Sequence, residues 1–233
     1  MRPEKPTALD IIWLSCRQLF HRMSFWIRPN FWFVLLSIPL VTLPAGSAAL
    51  YAAVAAGLRD PEESRTELAG LFKGAFFKQF RRSLVLGITN LLTFALILFS
   101  IYFWVSRPER TLNYVSIISF YFLAMWFLCQ PYLLPILVEK PALTIPRIIQ
   151  QALVLVIRHP LFSFSIAITN LAFAIIGTAL LGPILLLIPA LIGLNSMQAY
   201  WFLTGQPIPD WMNTATYQEM LSAKEAGSGQ TPS

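Results

Sequence analysis

The chain has 233 residues, 56% of them hydrophobic and only 12% charged, against roughly 25% charged in an ordinary soluble domain. That is too little charge to clothe a water-soluble fold. A formal net charge of +6, carried between apolar runs, suits anionic lipid headgroups rather than nucleic acid.

The opening stretch, MRPEKPTALDIIWLSCRQLF, is charged and then apolar, but Arg17, Gln18, His21 and Arg22 interrupt it and no small-residue cleavage pattern follows. It reads as part of the mature protein rather than a signal peptide. Over residues 9–27, Leu9, Ile12, Trp13, Cys16, Leu19, Phe20, Met23 and Trp26 recur at helical spacing. Asp10, Arg17, His21, Ser24 and Arg28 take the other face. This predicts an amphipathic helix, lying in the membrane interface or packed on the bundle, that ends at Pro29.

Residues 31–56 form the first strongly hydrophobic block, long enough for one tilted span of about 20 residues but not for two. Pro39, Pro44 and Gly46 break its middle and mark a candidate re-entrant turn, and the small residues 45–49 permit close helix packing. Residues 59–82 are polar and basic, with Leu68, Leu71, Phe72, Ala75, Phe76 and Phe80 on a rough apolar side. Spanning helices are expected at 84–105 and 114–138, the second stopping at Glu139 and Lys140. A further surface helix at 144–159 shows Arg147, Gln150, Gln151 and Arg158 on one face, with Val154 intruding. Two more spans, 161–181 and 183–203, are joined by no more than LGP, and a polar, partly disordered tail occupies 204–233.

The tetrapeptide ITNL occurs at 88–91 and again at 168–171, 80 residues on, with Ser83 matching Ser163. A basic surface helix precedes each copy, and a proline-containing apolar block precedes that helix. The layout predicts a single integral membrane domain over 1–203 with a parallel internal repeat, 31–106 and 111–181, plus an extra final span at 183–203. The two ITNL helices should then run in the same direction. Charge placement sets two topologies against each other. A single crossing by 31–56 leaves 10 of the 17 Lys and Arg on the cytoplasmic side, whereas a re-entrant hairpin places 15 of 17 there and satisfies the positive-inside rule. Against the hairpin, each arm has only about 12 residues, and non-helical backbone at membrane depth must be covered by protein.

The fold expected is therefore all-α: a polytopic helical membrane bundle of about five passes, in the range four to six, with amphipathic surface helices. Its intramembrane polar groups are amides. Asn90, Asn170, Asn195 and Gln198 are read as interhelical hydrogen-bonding groups facing the bundle. No Asp, Glu, Lys, Arg or His falls in the middle of any expected span, which argues against proton relays and ion-coupled carriers. Cys16 and Cys129, with His21 and His159, suggest neither a disulfide framework nor a metal centre. No phosphate-binding loop, dinucleotide fingerprint or His-based triad is present, so neither an enzyme nor a cofactor is expected.

The segment PLVTLPAGSAALYAAVAAGLRD followed by LFKGAFFKQFRRSLVLG resembles the YesL family of bacterial membrane proteins, a domain of unknown function. The likeness rests on Pro44, Ala45, Gly46, Ala48, Ala49, Leu50 and Tyr51, then Phe72, Phe76, Lys78 and Phe80, and extends over residues 20–203. The resemblance implies a small multi-pass protein of the bacterial plasma membrane and an accessory role beside a carbohydrate uptake system, with no catalytic residues to carry over. Two functions follow for test. One is a non-enzymatic accessory or scaffold protein that docks a transporter or another membrane protein through Lys73, Lys78, Arg81, Arg82, Arg147 and Arg158. The other is a small-solute channel or facilitator, in oligomeric form if need be, with a path lined by Asn90, Asn170 and Asn195. The C-terminus is expected on the cytoplasmic side, with the bilayer as the principal partner and no role for nucleic acid.

Overall fold

The computed structural model describes residues 7–21, 23–37, 39–59, 64–106, 113–179 and 187–208, with side chains for all of these but 40, 64–69, 113–115 and 179. The described residues form eight α-helices and no strand: α1 (Ala8–His21), α2 (Met23–Ser37), α3 (Leu43–Arg59), α4 (Ser64–Val105), α5 (Asn113–Glu139), α6 (Ile145–Arg158), α7 (Pro160–Ala179) and α8 (Ile188–Thr204). Three have the length and apolar composition to cross a membrane: α4 over Gly70–Val105, α5 over Ser116–Glu139 and α7 over Pro160–Thr178. Their apolar side chains point largely outward, with Leu92, Leu96, Phe99, Tyr102, Tyr121, Phe122 and Ile175 exposed. A water-soluble protein would bury such rings. A helix in lipid has no reason to. The junction expected at LGP and the tail beyond residue 208 lie outside the described residues.

The interior is taken instead by α3 and α8, two helices of 17 residues each. In α3 the buried residues include Ala45, Ala48, Ala49, Ala53 and Ala55, small enough for neighbours to close in on several sides. α3 and α8 run parallel, Gly193 facing Val54 and Tyr51 near one end and Arg59 reaching Trp201 at the other. Around them α4 and α7 both run the opposite way. Pro44 lies against Gly87 while Ala56 lies near Gly74, and Ile188 lies against Gly177 while Phe202 stacks on Phe162. The two ITNL helices thus share a direction.

The first hydrophobic block is a helical hairpin. Phe25 and Trp26 of α2 abut Gly57, and Phe33 and Ser37 abut Gly46, so α2 and α3 are antiparallel. Their connection is a single 3-10 turn, Leu40–Thr42, in which the Thr42 hydroxyl donates to the carbonyls of Leu36 and Pro39. Of the residues expected to make the turn, Pro39 lies in it, whereas Pro44 and Gly46 belong to the start of α3. Gly46 packs there against the Phe33 ring and the Ser37 hydroxyl, with room for a methyl group.

Three expectations need correcting. Pro29 does not end the first helix; α1 stops at His21 and Pro29 sits inside α2, where the neighbouring Asn30 amide donates 3.0 Å to the Trp26 carbonyl. A proline removes one helical donor, here the one for the Phe25 carbonyl, and α2 continues past it. The basic helix near 66–82 and the span at 84–105 are one unbroken helix of 42 residues, about 63 Å long at 1.5 Å per residue. No proline interrupts 64–105, so nothing local stops it. Finally, the apolar stripe of α1 divides: Leu9, Trp13 and Phe20 face outward, whereas Ile12, Cys16 and Leu19 pack on the bundle together with Ile11, Ser15 and Gln18. Lipid accepts the Leu and Trp, and the amide and hydroxyl find partners inside.

Candidate functional site

The polar groups of the interior gather in two seams. In the first, between α4 and α5, the Asn90 and Gln130 amides pair face to face: Asn90 Nδ2 donates to Gln130 Oε1 at 3.0 Å and Gln130 Nε2 to Asn90 Oδ1 at 3.2 Å. Trp126 Nε1 also donates to Asn90 Oδ1 at 2.8 Å, and Gln130 Nε2 reaches the Trp126 carbonyl at 3.0 Å. Farther along, the Ser100 and Ser119 hydroxyls meet at 2.8 Å. The Asn90 group borders two apolar cavities, one of about 330 Å³ against α6 and one of about 560 Å³ against the start of α3.

The second seam lies between α7 and α8 and continues to α1. Asn195 Nδ2 donates to Asn170 Oδ1 and Asn170 Nδ2 to Ser196 Oγ, both at 2.8 Å. Tyr51 of α3 joins at Ser196. One helical turn from Asn195, Gln198 receives a hydrogen bond from Ser15 Oγ at 3.0 Å, and its own amide donates to Gln18 Oε1. All four predicted intramembrane amides are therefore bonded. Asn90 does not meet Asn170, however, and neither Asn170 nor Asn195 lines the two cavities beside Asn90. Each ITNL asparagine ties its helix to the next long helix in the chain. An amide inside hydrocarbon cannot turn to water, so it takes the nearest complementary group.

Sequence reasoning passed over a third cluster, at the end where α3, α5 and α8 finish. Glu139, placed at a span end, is almost enclosed: its side chain is 6% exposed and pairs through Oε2 with Arg59 Nη2 at 2.5 Å, while Arg59 remains 59% exposed. The guanidinium carbon of Arg59 stands 5.6 Å from the centre of the Trp201 ring, within cation–π range. Glu139 Oε1, the Tyr200 hydroxyl and Trp201 Nε1 are buried without a hydrogen-bond partner among the described residues. The 80-residue separation of Arg59 and Glu139 gave no signal, since Asn90 and Asn170 stand at the same offset and do not meet.

The six residues proposed for docking divide into two groups. Lys78 and Arg81 are exposed on the first half of α4, and Arg147 and Arg158 are exposed on α6. Lys73 is also exposed, with its ammonium 4.2 Å from the Trp32 ring centre. Arg82 serves the fold instead, donating from Nη2 to the Leu143 carbonyl at 2.6 Å and holding the α5–α6 connection against α4. Beside the lysines stands Phe77, 77% exposed. Beneath them Phe72 and Phe76 are buried against Ala45, Ala49 and Ala53 of α3. Among the described residues, no three His, Cys, Asp or Glu side chains come together as a metal site.

Comparison of the chain with protein-family models, with curated proteins and with solved structures finds no match.

Proposed function

We propose that this chain is a non-enzymatic accessory or scaffold protein of a bacterial plasma membrane that docks a partner through the basic face of α4. The observation that carries this reading is the continuity of α4. A helix of about 63 Å exceeds the hydrocarbon core of about 30 Å twofold. Its first turns therefore stand out as a rigid arm, bearing Lys73, Lys78, Arg81 and the exposed Phe77 ring, while its remainder is apolar span. The arm is braced on α3 by Phe72 and Phe76. Aromatic and cationic side chains side by side on a braced helix suit a protein partner at the membrane surface. The carbohydrate-uptake setting rests on the resemblance to the YesL family alone.

For topology we favour α4, α5, α7 and α8 as the crossing helices, around a re-entrant α2–α3 hairpin. Antiparallel packing of α2 on α3 brings Met23 and Arg59 to the same end, which supports the arrangement holding 15 of 17 basic residues on the cytoplasmic side. The C-terminus then lies on that side as well. The facilitator reading has less support, because the amides it needs are bonded in two separate seams.

Affinity purification of the full chain under gentle detergent, with cross-linking from cysteines placed at Lys78 and Phe77, tests the docking role. A discrete membrane partner, lost on combined Lys78→Glu and Arg81→Glu substitution, is expected. Recovery of the chain alone under every mild condition refutes it. Solute flux into vesicles holding the purified protein, abolished by Asn170→Leu, speaks for the facilitator instead. In intact cells, cysteines at Pro3, Ser64 and Ser228 should resist an impermeant reagent while one at Glu109 labels. Labelling at Pro3 would make the first hydrophobic block a single crossing.

A further inference from the structure

The α5–α6 connection, α6 and the end of α8 enclose a cleft of about 390 Å³ lined by Lys140, Arg147, Gln150, Gln151, Val154, Leu155, Tyr200 and Thr204. We propose that this cleft binds an anionic phosphate group, as a phospholipid headgroup or a free phosphate species. The proposal stands apart from the docking role of α4, since it involves other elements.

The lining chemistry is one-sided. Two cations share the cleft with two carboxamides and two hydroxyl-bearing side chains, and neither Asp nor Glu lines it. Glu139, which precedes Lys140, is turned to Arg59 instead. Arg147 is exposed and, among the described residues, has no ion-pair partner; Lys140 Nζ donates 3.1 Å to Gln151 Oε1, which places its ammonium at the cleft wall. A guanidinium offers paired donors matched to phosphate oxygens, and the ammonium adds a point charge. Arg147 also sits in the first turn of α6, behind the Thr144 N-cap, whose side chain makes no capping bond. The helix dipole there favours an anion near Arg147.

A second observation points the same way. Tyr200, which lines the cleft, is 1% exposed overall and its hydroxyl has no partner among the described residues. A buried unpaired hydroxyl is costly, so a turn of the Tyr200 ring that let it reach an acceptor oxygen in the cleft would be favoured. The position also fits: the site sits where the α5 span ends at Glu139 and α8 ends at Thr204. That is headgroup depth for a helix leaving hydrocarbon, and the Val154 and Leu155 side chains form an apolar wall beside the charges.

The test is native mass spectrometry of the full chain purified in non-ionic detergent, with phosphatidylglycerol and phosphatidylcholine offered in parallel. Thermal unfolding with and without inorganic phosphate accompanies it. If the ligand is a lipid, the wild type retains phosphatidylglycerol in preference to phosphatidylcholine. Arg147→Gln or Lys140→Gln then lowers retention about tenfold, the loss of one charge-assisted contact. If the source is a free phosphate species, phosphate raises the unfolding midpoint of the wild type but not of Arg147→Gln, and no lipid is selected. Arg28→Gln removes an equal charge elsewhere and should leave both readouts unchanged. The proposal falls if neither probe distinguishes wild type from Arg147→Gln and Lys140→Gln, or if Arg28→Gln loses as much.

Discussion

The two stretches that carry ITNL start from similar sequence and take different courses. In the first, the amphipathic helix runs straight into the span, and residues 64–105 are one helix. In the second, the amphipathic helix α6 stops at Arg158 and α7 begins at Pro160, with His159 between them at φ −135° and ψ 61°. The difference lies in one residue type. Position 160 is proline, which lacks a donor and disfavours helical backbone in the residue before it; position 80, the same distance ahead of its ITNL, is Phe80 within α4. One stretch therefore stays a single helix, its basic half continuous with its apolar half. The other becomes a separate helix whose Ile148, Ala152 and Val156 are buried in the bundle, free to form a cleft with α8.

The strongest way to break this contrast is to give the first stretch the proline of the second. Phe80→Pro should cost about 3 kcal/mol or more and separate the arm from the span. Its thermal midpoint should drop, and protease should cut near residue 80. A variant as resistant as wild type would show that packing on α3, not helix continuity, holds the arm. Next in size is the residue just before each ITNL, Gly87 in one copy and Ala167 in the other. A Cβ on Gly87 would come within 2.5 Å of the Pro44 ring, which has no rotamer to escape into. Gly87→Ala should cost about 1–3 kcal/mol by overpacking, whereas Ala167→Gly should cost only about 1 kcal/mol of helix propensity. Equal losses would erase the distinction.

The asparagines should behave alike despite their different partners. Asn90→Leu strands the Trp126 indole N–H and the Gln130 amide. Asn170→Leu strands Asn195 and Ser196. Each should lower stability by up to about 1.7 kcal/mol, the upper range for polar contacts in a membrane bundle, as read from unfolding in detergent. The smallest effect is at the α1 N-terminus. There the Thr7 backbone N–H and hydroxyl donate to Asp10 Oδ2 at 2.6 and 2.7 Å, and these bonds hold the Asp10 carboxyl below its ordinary value of 3.8. A lowered folded-state pKa means the contribution is present above the unfolded value and fades as pH falls through the folded one. Asp10→Asn should therefore loosen α1 slightly at neutral pH and make no difference in strong acid, as followed by amide exchange of α1.

Several features were legible because they follow from local chemistry. The apolar runs at 84–105, 114–138 and 161–181 became helices, since each is long, uncharged and free to satisfy its backbone internally. α6 appeared with its buried stripe, because its apolar residues recur at helical spacing. The amides at 90, 170, 195 and 198 were found bonded for the same reason they stood out: each is an isolated polar group in greasy surroundings. Their partners were not legible. Gln130 hid next to Pro131 in a span, and Ser15 and Gln18 belonged to neither face read for the first helix. Pro29 misled because a proline read alone looks like a terminator, while in the fold it is buried inside α2, whose helix continues on both sides of it.

Sequence alone determined that this chain is helical and carries apolar runs suited to a membrane, because hydrophobic run length and backbone satisfaction in lipid depend only on neighbours along the chain; of the five or so passes it suggested, three helices have the length and composition to cross. It also determined the like direction of the ITNL helices, through the number of segments between them. Tertiary structure alone decided which apolar helices face outward and which lie inside. In lipid, burying a leucine gains little, so hydrophobicity carries no inside–outside signal. That choice passes to side-chain size and polar pairing: alanines put α3 in the middle, amides put α8 beside it, and Arg59 with Glu139 joins residues 80 apart.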